Sequence, residues 1–313
     1  MPHDHGNHDR HGHGHGHHHH APKDDRQLAW AVAVNLGLTL AQIAGGIVSG
    51  SLALIADALH NFSDAASLVI AWAARRIARR PADAAMTFGY ARAEVIAALI
   101  NYTILVVVGL YLGVEALMRF ADPQPVDGLL MIAVAGLALL VDLATALLTW
   151  RMSRNSLNMR AAFEHNVADA MGSVAVIVAG IAVMIGGWTL VDPIVTLGIS
   201  AYVLWMAMDG GSEAIRILMM GTPPRLDPEE VSAQIMAVPG VDGLHHLHLW
   251  QLGENDAALD AHLVITEDQW NGADAIKDRV RTALARHLQI RHATLEIEQA
   301  GQGCIDPPRF CDK

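Results

Sequence analysis

Six apolar runs dominate the sequence, near residues 27–49, 52–78, 89–119, 127–150, 160–186 and 188–208. Each reaches the roughly 20 residues a helix needs to cross a bilayer, and the third is long enough to tilt. Short loops separate them, so sequential helices should run antiparallel. Aromatics make up only 5% of the chain and charged residues 17%. The apolar content is therefore Ala, Val, Leu, Ile and Met, which suits helical spans better than an aromatic-rich soluble core. A formal net charge of −11 argues against nucleic acid as a partner.

The arginines set an orientation. Arg75, Arg76, Arg79, Arg80 and Arg92 follow the second run, Arg151, Arg154 and Arg160 follow the fourth, and Lys23 and Arg26 precede the first. The alternate loops carry only Arg119. Basic residues favour the cytoplasmic side, so both termini are expected there, in a multi-pass protein of the inner membrane if the source is bacterial. Trp150 and Trp188 fall at span ends, as interfacial anchors do. The first run lacks a small-residue cleavage pattern, so no cleaved leader is expected.

Inside these runs lie two matching stretches, His60-Asn61-Phe62-Ser63-Asp64-Ala65 and His165-Asn166-Val167-Ala168-Asp169-Ala170. Residues four apart share a helix face, so each stretch aims an imidazole and a carboxylate in one direction. Ionisable groups at membrane depth face a partner or a polar cavity. Two nitrogens and two oxygens suit tetrahedral Zn²⁺. The competing reading, a pair of hydrogen bonds that glue helices, fits a duplicated His/Asp pair poorly. The two stretches lie in oppositely oriented helices and suggest an inverted three-helix repeat, although the halves look dissimilar beyond those six residues. Asp57, one turn before His60, is either an orienting neighbour of the imidazole, a proton carrier or a structural contact. Asp142 in the fourth run is read as a proton-path or cavity residue. Asn35, Gln42 and Asn101 are read as packing or cavity lining.

The two ends of the chain differ from its middle. Residues 1–26 hold ten of the 18 histidines and read as a disordered tail, a metal collector more than a purification tag. Residues 27–208 form the transmembrane domain, and 209–313 a cytoplasmic domain. Asp227-Pro228-Glu229-Glu230 starts a helix that should end before Pro239-Gly240. Strands are expected at 243–251, 257–266 and 292–298, with a helix at 272–288. The order α-β-β-α-β is that of a small ferredoxin-like α+β layer. This region carries 9 Lys and Arg against 17 Asp and Glu, a net of −8, which suits divalent cations. Period-two alternation puts His246 and His248 on one strand face and His245 on the other. Cys304 and Cys311 are spaced too widely for a zinc hairpin and make no disulfide framework.

Both His-x3-Asp pairs, the loop Phe88-Gly89-Tyr90-Ala91-Arg92-Ala93-Glu94, and the segments His245-His246-Leu247-His248-Leu249-Trp250 and His292-Ala293-Thr294-Leu295-Glu296-Ile297-Glu298 resemble the cation diffusion facilitator family. That resemblance implies six transmembrane helices, a homodimer, and export of divalent metal against protons. It implies a transmembrane site of His60, Asp64, His165 and Asp169 of the zinc-preferring kind. It also implies a cytoplasmic site of His245, His262, His292 and Glu298. Residues 79–92 hold no histidine, so the loop metal site of some relatives is not carried over. Zn²⁺ is then substrate and regulatory ion rather than cofactor, with Cd²⁺ and Co²⁺ left open by ligand type. The alternative is a membrane-anchored metal sensor or buffer that does not transport. An enzyme is disfavoured: there is no H-E-x-x-H, and four protein ligands leave no place for catalytic water. Without a P-loop, an ATP-driven pump is disfavoured as well.

Overall fold

The computed structural model describes residues 21–153, 157–253 and 256–300, with backbone alone at 21–32, 34, 68, 148–149, 151–162 and 165. The histidines of the tail at 3–20, Cys304, Cys311 and the side chain of His165 lie outside the described residues.

Each apolar run is a long helix: α1 (Ala21–Ser49), α2 (Leu52–Ala78), α3 (Arg92–Ala121), α4 (Gly128–Ser153), α5 (Leu157–Gly186) and α6 (Val191–Leu218). Among the described residues four segments are long and apolar enough to cross a membrane, namely Arg92–Ala121, Gly128–Leu147, Asn166–Gly186 and Val191–Leu218. In α1 a shorter apolar stretch covers Asn35–Ser49. The outward faces of α3 to α6 present Val107, Leu110, Leu129, Leu140, Ile185 and Trp205, all exposed. Apolar surface on this scale suits lipid rather than water. Trp150 and Trp188, at the helix ends, are exposed too.

The α4–α5 and α3–α6 pairs pack most extensively. Between α4 and α5 the backbones come close, since a Cβ on Gly128 would sit 2.5 Å from the Gly180 carbonyl. Small residues permit such approach in membranes. In contrast, α2 and α5 touch only sparsely.

At the end of the bundle far from the C-terminal domain, the first turn of α2 is held by Asp192 of α6. The buried Asp192 carboxylate accepts from Ser51 Oγ (2.6 Å), Leu52 N (2.9 Å) and Ala53 N (3.2 Å). Arg119 of α3 reaches the same carboxylate at 3.4 Å and donates to the Gly50 carbonyl at 2.6 Å. An anion at a helix N-terminus meets unpaired N–H groups and the positive end of the helix dipole. Gly50 makes the α1–α2 turn at φ +72°, a conformation that costs glycine little.

The sixth helix runs ten residues past the expected end of its apolar run at 208, to Leu218. Gly210 and Gly211 do not break it, because Tyr102 of α3 packs directly on Gly210 and fills the space a side chain would need. A C-terminal domain follows: α7 (Pro228–Met236), β1 (Gly243–Gln251), β2 (Ala257–Ile265), a 3-10 turn (Glu267–Gly272), α8 (Ala273–His287) and β3 (His292–Gln299). Asp227 caps α7 by accepting from Glu229 N at 3.0 Å, as its sequence predicts. The sheet order is β1-β2-β3, with β1–β2 antiparallel and β2–β3 parallel. Val231, Ile235, Val280 and Leu284 of the helices pack on Leu247, Leu249, Leu259 and Leu263 of the strands. Gln251 ties the domain to the bundle: its carbonyl accepts from Arg92 at 3.3 Å and its N–H donates to the Gly221 carbonyl at 3.3 Å.

Candidate metal centres

One cluster forms where α2 passes α5. His60 Nε2 lies 3.6 Å from Asp64 Oδ2, on its own helix, and 3.5 Å from Asp169 Oδ1 on α5. A ligand atom from each of the three falls within 4.8 Å of the others. One imidazole and two carboxylates at this spacing can converge on a single small cation. His165 precedes Asp169 by four residues on α5.

Asp57 and Asp142 stand beside this cluster and are buried. Asp57 Oδ2 accepts from Gln42 Nε2 of α1 at 2.6 Å, and Gln42 Oε1 accepts from Asn61 Nδ2 at 3.1 Å. Asp142 Oδ2 accepts from Ser173 Oγ at 3.2 Å. Asp57 is in electrostatic reach of His60, Asp142 and Asp169. Gln42 is thus more than packing: one amide joins α1 to the residues on either side of His60. Tyr202 of α6 sets its ring edge-on to His60 at 6.4 Å. Nothing in the sequence singles Tyr202 out, since it sits in an apolar run like any core aromatic.

A second cluster lies on the sheet face opposite α7 and α8. Glu298 of β3 is 3.1 Å from His245 Nε2 through Oε2 and 2.7 Å from His262 Nδ1 through Oε1. These three residues also offer ligand atoms within 4.8 Å of one another. Burial pushes the Glu298 carboxyl up, but the His262 hydrogen bond and the two nearby imidazoles outweigh it and hold the group below its ordinary value.

His292 does not join this cluster. It pairs with Ala258 at the start of β3, while Glu298 pairs with Val264 at the other end. Six residues of strand span about 20 Å. His292 instead meets the Phe88 ring at 5.5 Å. The face assignment of β1 also changes. His245 pairs with His262 and His248 with Asp260, three steps against two, so an extra residue bulges out. The bulge carries His246 at φ +50°. Strict alternation therefore fails: His245 and His248 share the face of His262, and the His246 ring stacks on His262 at 4.7 Å.

Family models agree with this architecture. One for the cation efflux transmembrane domain matches residues 28–219, and one for the cation efflux protein cytoplasmic domain matches 223–300. The chain is 38% identical over 291 residues to the zinc transporter ZitB of Pectobacterium atrosepticum, covering 90% of this chain and 88% of that one. It is 35% identical over 280 residues to the metal cation efflux system protein CzcD of Cupriavidus metallidurans, covering 88% and 87%. A cadmium, cobalt and zinc/H(+)-K(+) antiporter of Bacillus subtilis is 34% identical over 266 residues, covering 84% and 85%. With both domains matched in order and relatives similar along almost their whole length, this chain belongs to the cation diffusion facilitator family of cation efflux proteins.

Proposed function

We propose that the chain exports Zn²⁺ from the cytoplasm in exchange for protons, by alternating access of one site among six transmembrane helices. The observation that carries this reading is the meeting of His60, Asp64 and Asp169 between α2 and α5. His165 completes the set as fourth ligand. Metal binding needs neutral imidazole and ionised carboxylate, so binding releases protons and protonation expels metal. An ordinary imidazole titrates near pKa 6.5, within reach of a physiological pH gradient. Asp57, one turn before His60 on α2, serves as a proton carrier or orienting group, and Asp142 of α4, which accepts from Ser173 of α5, as a proton-path or cavity residue. Cd²⁺ and Co²⁺ share the ligand chemistry and are further substrates.

The domain plan is a His-rich tail over 1–26, a six-helix membrane domain from 27 whose boundary, expected at 208, shifts to the end of α6 at Leu218, and a cytoplasmic domain from there to 313, with both termini in the cytoplasm. His245, His262 and Glu298 form a cytoplasmic site where Zn²⁺ acts as a regulatory ion. The second family model, named for a dimer-forming zinc transporter domain, supports a homodimer.

Purified protein in vesicles under an imposed pH gradient tests the reading. Zn²⁺ uptake is expected for the wild type, and none for Asp64→Ala or Asp169→Ala. Uptake that survives both substitutions removes the proposed site. A wild type that binds Zn²⁺ but never moves it is a sensor.

A further inference from the structure

The metal cluster is not equally enclosed on its two sides. Away from the C-terminal domain it is backed by buried Asp57, Gln42 and Asn61, and beyond them by the Asp192 cap. The less enclosed of the two α2 residues is the one nearer that domain along the helix. The Asp64 side chain keeps 21% of its accessibility, against 8% for His60. On α2 the stripe of His60 and Asp64 continues through Ser67, Ala71 and Arg75, at successive helical spacings of four, three, four and four. Those positions stack on one face.

Ser67, Ala71 and Arg75 of this stripe, beyond the two cluster residues, line one wall of a groove between α2 and α3 of about 280 Å³. Its other wall carries Glu94, Ala98 and Asn101, again at helical spacings of four and three. The small side chains of Ser67, Ala71, Ala97 and Ala98 leave the space between the walls unfilled, with Ile70 and Tyr102 also lining it. The inner end of the groove abuts the Asp64 turn. There Ser67 Oγ donates to the Asp64 carbonyl at 2.7 Å, and Ser63 Oγ donates to Asn101 Oδ1 at 3.3 Å. At roughly 30 Å³ per water the space holds about nine waters, enough for a divalent ion with most of its hydration shell. At its outer end Glu94 faces in from the first turn of α3 and is in no ion pair among the described residues.

We propose that this groove is the loading route of the transported ion, with Glu94 as its first acceptor and Asn101 as the polar step before Asp64. This rests on the transport reading above. Arg75 sits in the same mouth and opposes the arriving cation, so the two side chains act on loading with opposite sign. Neither touches the final site, so both change how readily the ion arrives and leave the transport step alone.

The test is initial-rate Zn²⁺ uptake into vesicles whose C-terminal domain faces the bath. Glu94→Gln is expected to raise KM about three- to tenfold and Arg75→Gln to lower it by a similar factor, the reach of one charge on a divalent ion across a wet groove. In both, kcat stays within about twofold, which a merely structural role would not preserve. Independently, Ala98→Cys, in a chain with Cys304 and Cys311 changed to serine, is expected to lose uptake on reaction with a charged thiol reagent from the bath. Zn²⁺ should protect it. Unmoved KM values, or a labelled Ala98→Cys chain that still transports, overturn the route. If Asp64→Ala still abolishes uptake in that outcome, the transporter reading stands. If the wild type moves no Zn²⁺, the reading itself fails.

Discussion

Replacing Asp192 should loosen the helix that carries two of the proposed metal ligands. Its carboxylate takes one hydroxyl, two backbone amides and one guanidinium, and it is 0% exposed. In Asp192→Ala the Leu52 and Ala53 amides lose their acceptor at the α2 terminus, and Arg119 keeps its charge with only Gly50 and Glu115 beside it. Breaking one side of a buried ion pair costs about 3–5 kcal/mol, while the Ser51 N-cap bond from Leu54 N remains. Asp192→Asn keeps the shape and one acceptor, so its cost should be about 1.5–3 kcal/mol, that of weakened charge-assisted bonds. Reversible unfolding by denaturing detergent in mixed micelles measures both. A double substitution with Arg119→Met should show coupling of at least about 1 kcal/mol. An Asp192→Ala chain within about 1 kcal/mol of wild type, or a simply additive double change, refutes this role for Asp192.

Three more outcomes can be checked. Gly50→Ala should destabilise by about 1–3 kcal/mol in the same titration, because a Cβ at φ +72° would sit 2.5 Å from the Pro125 carbonyl. In the α2–α3 loop the Asp83 carboxylate accepts from the Tyr90 hydroxyl at 2.7 Å, which raises the phenol above its ordinary 10.0. Asp83→Asn should therefore return one tyrosine midpoint toward 10.0 in an ultraviolet pH titration. A raised phenol favours the folded loop below the ordinary value and loses that effect as pH climbs through the folded one. On the acid side Asp83 is held low, by Tyr90 first and then by the Met86 and Ala85 amides, so the contact also fails as pH falls through its folded value. Finally, His246→Gly should be neutral or stabilising by up to about 1 kcal/mol and His246→Val destabilising, since φ +50° suits glycine and strains a branched residue. Thermal melts of both variants decide it.

The helices were legible because apolar runs of membrane length admit little else, and the α7 start because Asp227-Pro228 states its own cap. The meeting of His60, Asp64 and Asp169 was legible because i, i+4 spacing fixes a face within each helix. Other features turn on partners far away in the chain. Asp192 and Ser51 are 141 residues apart, and from sequence alone Asp192 reads as one more charge at a span end. His292 fell away from Glu298 because strand register, not residue type, sets their separation. The β1 bulge depends on one backbone torsion at His246, and alternation arguments cannot see it. Past 208 the sixth helix goes on because Tyr102 fits against Gly210, a contact that two glycines in sequence would argue against.

Gln42 has a consequence of its own. A primary amide both gives and takes, so it can clasp Asp57 with one end and Asn61 with the other; a glutamate there would set two carboxylates face to face. The first helix adds no residue to the cluster among its described residues, yet it is fastened to the turn of the second that holds His60. A shift of that turn on filling of the proposed site would pull the first helix along or tear the clasp.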